Sequence, residues 1–492
     1  MGGDMPHQGA TKAEGPRTYR VRVLGCRVNH AERRELCDAL RSRGMAPAAR
    51  GKPADLEVVH TCTVTKRAAA KSRQVIRRAA REAGHDPTVL VTGCLVGTEH
   101  ETLQSLAPGV ASAIGHDEPM VEAVGQWVDK WLGQSASLRT EPPQRSLTPL
   151  PLAVLPNAPA QHTRAEVRVQ DGCDAWCTFC IIPRTRPRLR TKSIATVVQE
   201  VDQLVQLGHQ EVVLAGIFLG AYGHETALRR KQTNPDAEPL AELIDAVANV
   251  PGLARLRLSS LEPGDVTETL LDAMVTHREI VTGHLHLPLQ SGSDEVLKRM
   301  NRQYRVGEYL DMIEQVTSRL QSSCGIPPAL TTDIICGFPG EDDAAFEQTL
   351  EVVRQVCFLH LHVFPYSPHP GTAAARWQSK TLPMATRRER VRRLMALEGA
   401  PDGWSQTYRR NLIGHTLRVI PEQTDPHRPN RWLGRCDQYA MLSVKGPLRR
   451  GQIVRAIATT IDDDVLLADA VEVSTPLSLL TQSGPAKRNP AT

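Results

Sequence analysis

AEVRVQDGCDAWCTFC, residues 165–180, holds the decisive pattern. A strand-like alternation over residues 165–170 runs straight into Cys173, Cys177 and Cys180, spaced C-x3-C-x2-C in one tight loop. No fourth cysteine is near in sequence. A structural zinc site closes its shell with four ligands, whereas three thiolates leave one coordination position open for chemistry. Thiolate is also the ligand that 4Fe-4S clusters use, so the spacing points to a cluster held at three irons with its fourth iron free for a substrate. A zinc site completed by His162, or three reduced structural thiols, are the other readings of the same residues.

Working outward, five more strand-like stretches follow: EVVLAG, ARLRLSS, HLHLPL, LTTDIICGF and FLHLHVF. Helical stretches such as IATVVQEVDQLVQLG and DDAAFEQTLEVVRQV separate them. Six such strand–helix units predict a full or partial parallel barrel, which carries its chemistry at the carboxyl ends of its strands. The three-cysteine loop stands at the end of the first.

Upstream, YRVRVL (19–24), LEVVH (56–60) and TVLVT (88–92) read as three strands in an α/β arrangement with a parallel sheet, the first two followed by helical patterns. Cys26, Cys62 and Cys94 each lie just beyond the carboxyl end of one of these strands. In an open parallel sheet those ends line a single crevice, so the trio is a second candidate for three-thiolate ligation. The alternative is three small buried hydrophobes. Cys37, Cys324, Cys336, Cys357 and Cys436 have no cysteine at ligand spacing and read as structural.

The 492-residue chain, at about 150 residues per domain, suggests about three domains. Residues 1–17 read as a loose tail and 18–135 as the first α/β domain. Six prolines between Thr140 and Pro159 mark a linker over 136–160. The barrel domain then spans 161–385. A basic helix and a small β domain occupy 386–475, and 476–492 is a second tail. With 41% apolar and 23% charged residues the composition is globular, excluding a disordered or collagenous chain. No apolar stretch approaches the ~20 residues of a membrane span, and no apolar segment follows the N-terminus, so the expectation is a cytoplasmic protein with no membrane partner. Of 59 basic residues 48 are Arg, whose forks match phosphates. Three basic runs, Lys66 to Arg81, Arg184 to Lys192 and Arg387 to Arg393, are candidate RNA contacts, although a charge run also serves simply as a solvated face.

The C-x3-C-x2-C spacing after a first barrel strand resembles the radical S-adenosylmethionine (SAM) enzymes. LGCRVNHAE, VVHTCTVTKRAAAKSRQVIRRA, LVTGCLVG, RLRLSSLEP, HLHLPLQSGSDEVLKRMNRQY, TTDIICGFPGEDDAAFEQT and HVFPYSPHPGTAAAR resemble the tRNA methylthiotransferase family from about Tyr19 to Arg376. The wording TCTVT and SSLEP is most similar to the branch acting on N6-threonylcarbamoyladenosine beside the anticodon. The fold this implies is α/β: an N-terminal α/β domain with a parallel sheet, a central (βα)6 partial barrel of radical SAM type, and a small C-terminal β domain that holds RNA.

The resemblance further implies that Cys173, Cys177 and Cys180 bind the radical SAM 4Fe-4S cluster, and that Cys26, Cys62 and Cys94 bind an auxiliary 4Fe-4S cluster carrying the sulfur to be inserted. One S-adenosylmethionine would methylate that sulfur and a second would supply the 5′-deoxyadenosyl radical that takes hydrogen from adenine C2. Gln290 and Ser291 would contact S-adenosylmethionine, and the strand end from Val363 to Tyr366 would offer backbone groups to its adenine. The implied partners are tRNA, a reducing partner of flavodoxin or ferredoxin type and a sulfur donor. Phe218 stands where relatives usually carry Asn, and the loop after Cys180 lacks the usual Gly. Two other functions fit these residues: the same chemistry on N6-isopentenyladenosine, and a non-catalytic iron-sulfur RNA-binding protein.

Overall fold

The computed structural model describes residues 16–82, 88–107, 109–136, 163–234 and 236–473. The expected N-terminal tail up to residue 15, the proline-rich linker from residue 137 onward, His162 and the tail 476–492 lie outside the described residues.

The first sheet has β1 (Thr18–Val23), β2 (Ala46–Pro47), β3 (Leu56–Thr61), β4 (Thr88–Gly93) and β5 (Val110–Ile114), ordered β2-β1-β3-β4-β5 and wholly parallel. The central strand β3, LEVVHT, is buried at every position, as a strand covered by helices on both faces must be. Helices α1 (Arg27–Arg41) and α2 (Lys66–Glu82) follow β1 and β3. The edge strands β2 and β5 were not among the three strands expected; a two-residue strand and the small-residue segment VASAI carry too little alternation to read.

The central domain strings six parallel strands, β6 (Arg164–Asp171), β8 (Glu211–Gly216), β9 (Arg255–Leu258), β10 (His284–His286), β11 (Ala329–Cys336) and β12 (His360–Pro365), beside the short antiparallel β7 (Arg190–Thr191). Parallel bridges Leu256–Val281 and Ser260–His286 join β9 to β10 and make the curved wall continuous. Side chains alternate across this wall. Val167, Leu214, Leu256, Leu285, Leu330 and Leu361 belong to one core under the outer helices. The opposite, inner face carries polar residues such as Arg168, Glu211, Arg257, His286 and Asp333.

The C-terminal domain is a closed barrel, β13 (Thr416–Thr424), β14 (Arg431–Cys436), β15 (Met441–Lys445), β16 (Val454–Asp462) and β17 (Val465–Val473), in the order β13-β14-β15-β17-β16. The stretch RWLGRCDQYAMLSV, anticipated as one strand-rich segment, is a hairpin whose tip presents Tyr439. Closure through β17 removes free edges. The fold is thus α/β with a parallel N-terminal sheet, a (βα)6 partial barrel and a small β domain.

The C-terminal barrel docks on the amino-terminal ends of the central strands. Buried Arg255 and Arg257 pair with Glu211 at 2.8 and 3.0 Å and donate onward to the carbonyls of Arg418 and Cys436. Tyr439 stacks on His284 with ring centroids 4.4 Å apart, and Arg27 Nη2 donates to its hydroxyl at 3.0 Å. Burial would raise the Glu211 pKa, but the three guanidiniums of Arg257, Arg255 and Arg164 outweigh it and pull the carboxyl down to about 2.

Candidate active site between two cysteine trios

Cys173, Cys177 and Cys180 occupy the loop between β6 and a one-turn helix at Ile182–Thr185. Local bonds hold the loop in shape: Cys180 N donates to Cys177 O at 2.9 Å, Ala175 N points at Cys173 Sγ at 3.5 Å, and Thr178 N donates to Met300 O at 3.0 Å. The segment after Met300 completes the cradle. Asn301 Nδ2 donates to the carbonyls of Ala175 and Trp176, and Arg302 Nη1 donates to Cys177 Sγ at 3.2 Å while its Nη2 pairs with Glu262 at 2.7 Å.

The second trio assembles from three adjacent strands. Cys62 and Cys94 directly follow β3 and β4, and Cys26 starts α1 just beyond β1. The turns approach closely: Gly25 has φ +116°, and a Cβ there would lie 2.9 Å from Cys62 Cβ. Ser72 of α2 clasps Cys62, accepting from its N–H at 3.1 Å and donating to its carbonyl at 2.8 Å. Asn29 donates to the carbonyls of Leu24 and Thr61, and Cys26 Sγ donates to its Oδ1 at 3.6 Å.

Arg186, six residues beyond Cys180, joins the trios. It is fully buried. Its Nε lies 3.3 Å from Cys94 Sγ, Nη1 bonds Glu32 Oε1 at 2.9 Å and Asp171 Oδ1 at 2.5 Å, and Nη2 bonds Glu32 Oε2 at 2.7 Å and Asn29 Oδ1 at 3.1 Å. Burial alone would lift the pKa of Glu32, yet the Arg186 guanidinium, with a hydrogen bond from His60, holds its carboxyl well below the usual range. Burial and Arg186 push His116 down to about 3, so it stays neutral. A second crossing bond, Thr63 Oγ1 to His369 Nε2 at 3.2 Å, ties the Cys62 loop to the segment after β12.

The donor set suits clusters. Burial pushes the Cys94 thiol up to about 11 and the Cys180 thiol up to about 12, so each keeps its proton until a cation replaces it. Donors aimed at Cys94, Cys173 and Cys177 are the partners a thiolate sulfur needs.

A 590 Å³ cavity opens beside Cys177 and Cys180, walled by Trp176, Arg184 and the Pro370–Thr372 turn. A 520 Å³ extension reaches Arg73 and Glu99 of the first domain, with Lys66 and Arg184 on both. The site is therefore a chamber between the two α/β domains.

The remaining expected residues separate. Gln290 is buried, adopts φ +66° and leaves Oε1 without a partner among the described residues. Ser291 is fully buried, with Oγ 3.5 Å from Thr349 Oγ1. Phe218 packs beside the cysteine loop, its N–H donating to Gln170 Oε1 at 2.8 Å. Two basic runs divide between exposed and interior residues, with Arg184, Arg188, Arg388, Arg392 and Arg393 exposed. In Arg184 to Lys192, Arg186 is interior, Arg190 donates to the carbonyls of His116 and Asp117, and Lys192 pairs with Glu35 and Glu200. In Arg387 to Arg393, buried Arg387 donates to Tyr366 O and buried Arg390 pairs with Glu341 and Asp343. Interior carboxylates and carbonyls satisfy Arg186, Arg190, Lys192, Arg387 and Arg390, which leaves the exposed members of the runs for phosphates.

Arg186, Arg302 and Glu32 escaped the sequence reading. A buried arginine announces itself only through acids that need neutralising, and the signal present was Glu32 and Asp171, each close in sequence to a cysteine of a trio.

Residues 167–353 match the Radical SAM superfamily, which makes the central domain that of a radical SAM enzyme. Residues 18–115 match the family described as Uncharacterized protein family UPF0004. The Bacillus subtilis (strain 168) threonylcarbamoyladenosine tRNA methylthiotransferase MtaB is 33% identical, with 92% of this chain and 99% of that protein covered. The tRNA-2-methylthio-N(6)-dimethylallyladenosine synthase of Erythrobacter litoralis is 31% identical over 89% of this chain and 94% of its own length. The chain belongs to the radical SAM tRNA methylthiotransferase family. Among solved structures, the radical SAM methyltransferase TsrM from Kitasatospora setae shares the fold at TM-score 0.50 and 13% identity, covering 72% of this chain and 77% of that one. Membership brings S-adenosylmethionine and a 4Fe-4S cluster as cofactors. No helix among the described residues is long and apolar enough to cross a membrane.

Proposed function

We propose that this chain inserts a methylthio group at C2 of N6-threonylcarbamoyladenosine beside the anticodon of tRNA, with Cys173, Cys177 and Cys180 holding the radical SAM cluster and Cys26, Cys62 and Cys94 an auxiliary 4Fe-4S cluster. The observation that carries this reading is Arg186, which bonds Cys94 Sγ from the loop that follows the other trio and so links the two cysteine sets through one side chain. When bound, the two clusters would supply reductive cleavage of S-adenosylmethionine at one trio and the transferable sulfur at the other.

The chain's own residues do the rest. Arg302 and Arg186 set the charge around Cys177 and Cys94. Gln290, with its unpartnered Oε1, and Ser291 serve the bound S-adenosylmethionine. Trp176 and Phe364, about half exposed at 54% and 49%, offer flat faces on which a flipped-out adenine stacks. Lys66, Arg73 and Arg184 on the chamber walls give the anticodon phosphates a basic rim. Electrons come from a flavodoxin- or ferredoxin-type partner, sulfur from a separate donor, and the reaction runs in the cytoplasm.

Relatives named for threonylcarbamoyladenosine at 33% and 31% identity support the substrate. Others named for dimethylallyladenosine stand at 31% to 33%, which keeps N6-isopentenyladenosine as a second reading. Nucleoside mass spectrometry of tRNA from a host lacking its own methylthiotransferases tests both. A new methylthio form of threonylcarbamoyladenosine on expressing this chain supports the first substrate, one of isopentenyladenosine the second, and neither contradicts both.

A further inference from the structure

Three neighbouring parallel strands bring His286, Asp333 and His362 together on the inner wall of the central barrel. Their ligand atoms all lie within 4.8 Å of one another. The alternation of each strand explains this. Leu285, Leu330, Ile334 and Leu361 belong to the core under the outer helices, so His286, Asp333 and His362 face inward. The β11–β12 register sets Asp333 opposite His362, and the β10–β11 register sets His286 opposite Thr331, two residues before Asp333.

None of the three touches the cysteines, and their packing leaves donors free. His286 Nδ1 lies 2.9 Å from Thr331 Oγ1, which turns Nε2 toward Asp333 Oδ1, 3.4 Å away. His362 has the His286 ring 5.5 Å away and no hydrogen-bond partner among the described residues. Its neighbour His360 lies edge-on with ring centroids 4.7 Å apart, its own Nδ1 bonded to Glu398 at 3.0 Å. Side-chain exposures of 13% for His286 and 32% for Asp333 leave the group accessible from the lumen.

We propose that His286, Asp333 and His362 bind one divalent transition-metal ion, separate from both cysteine trios. Two imidazoles and one carboxylate on one face, with the remaining positions open, form the donor set that takes zinc or iron(II) and leaves room for water or a substrate oxygen. The hydroxyl of Thr331 on the far nitrogen of His286 is the support a ligating imidazole requires. A purely structural role for an Asp–His pair does not need His362 beside it with an unpaired ring. The other candidate group, Glu32, His116 and Asp171, is buried and its two carboxylates are already paired with Arg186 and Arg168, so it offers a cation nothing.

The test uses cluster-loaded protein dialysed anaerobically against Zn²⁺, with zinc and iron measured per chain. The wild type is expected to retain a zinc equivalent that His362→Phe and Asp333→Asn both lose at unchanged iron content, while His360→Ala keeps it. Zinc-edge X-ray absorption of the wild type should show nitrogen and oxygen neighbours without sulfur. Equal zinc in wild type and both variants, or sulfur neighbours in the spectrum, overturns the proposal. Because His362 is exposed, its variant disturbs folding least and keeps the test decisive if Asp333→Asn does not accumulate.

Discussion

The guanidinium of Arg186 lies with Nε 3.3 Å from Cys94 Sγ and Nη2 2.7 Å from Glu32 Oε2, so one buried side chain from the loop after Cys180 contacts both a cysteine and an acid of the N-terminal domain. It is the joint between the two halves of the chamber. Removing it leaves Glu32 and Asp171 with Arg168 and His60 as partners in a buried site, a loss of about 3–5 kcal/mol. Arg186→Ala should therefore lower the melting temperature sharply. Arg186→Lys should fall between, because an ammonium cannot reproduce the fork. Iron analysis of both variants should show the deficit at the N-terminal trio, with S-adenosylmethionine cleavage partly kept.

Gly172 opens the three-cysteine loop with φ +80°, and a Cβ there would sit 2.0 Å from the Arg188 carbonyl oxygen. Backbone cannot yield as a side-chain tip can. Gly172→Ala should therefore cost the iron bound at Cys173, Cys177 and Cys180 while leaving that at Cys26, Cys62 and Cys94, which iron analysis combined with electron paramagnetic resonance distinguishes.

Arg302 donates to Cys177 Sγ while pairing with Glu262. Arg302→Met keeps bulk but removes charge and donor. The expected result is reductive cleavage of S-adenosylmethionine slowed about 10- to 100-fold, the usual effect of losing a hydrogen bond to a ligand. A shifted cluster reduction potential should accompany it; unchanged rate and potential would count against the assigned role.

Glu211 gives a pH dependence with a defined sign. Its folded pKa, about 2, lies below the usual 4.5, so its stabilisation is fully present above pH 4.5 and is lost as pH falls toward 2. The difference corresponds to about 3 kcal/mol across that window. Acid unfolding followed by tryptophan fluorescence should show wild type losing stability over it, and Glu211→Gln, which starts less stable, losing less.

Much of this was legible in the sequence, and the exceptions have physical causes. The positions of the cysteine trios could be read because cysteine is rare and its places after strands repeat. Alternation located all six central strands, even the three-residue β10. It could not say which way the arginines of RLRL or RTRPRLRTK point, because a guanidinium bound to a buried carboxylate and one bound to a phosphate are the same letter. Arg186, Arg257 and Arg390 were therefore indistinguishable from surface charge until Glu32, Glu211 and Glu341 appeared beside them. His286, Asp333 and His362 were hidden for a related reason, since their proximity depends on strand registers that no single segment encodes.

The central claim is a division of labour between two cysteine trios linked through Arg186. The measurement that tests it most directly compares Cys177→Ala with Cys94→Ala in anaerobic assays with reductant, S-adenosylmethionine and substrate tRNA, following 5′-deoxyadenosine and methylthiolated nucleoside in the same reaction. The account predicts neither product from Cys177→Ala, and deoxyadenosine without methylthiolated tRNA from Cys94→Ala. Methylthiolated tRNA from the Cys94→Ala protein would contradict it.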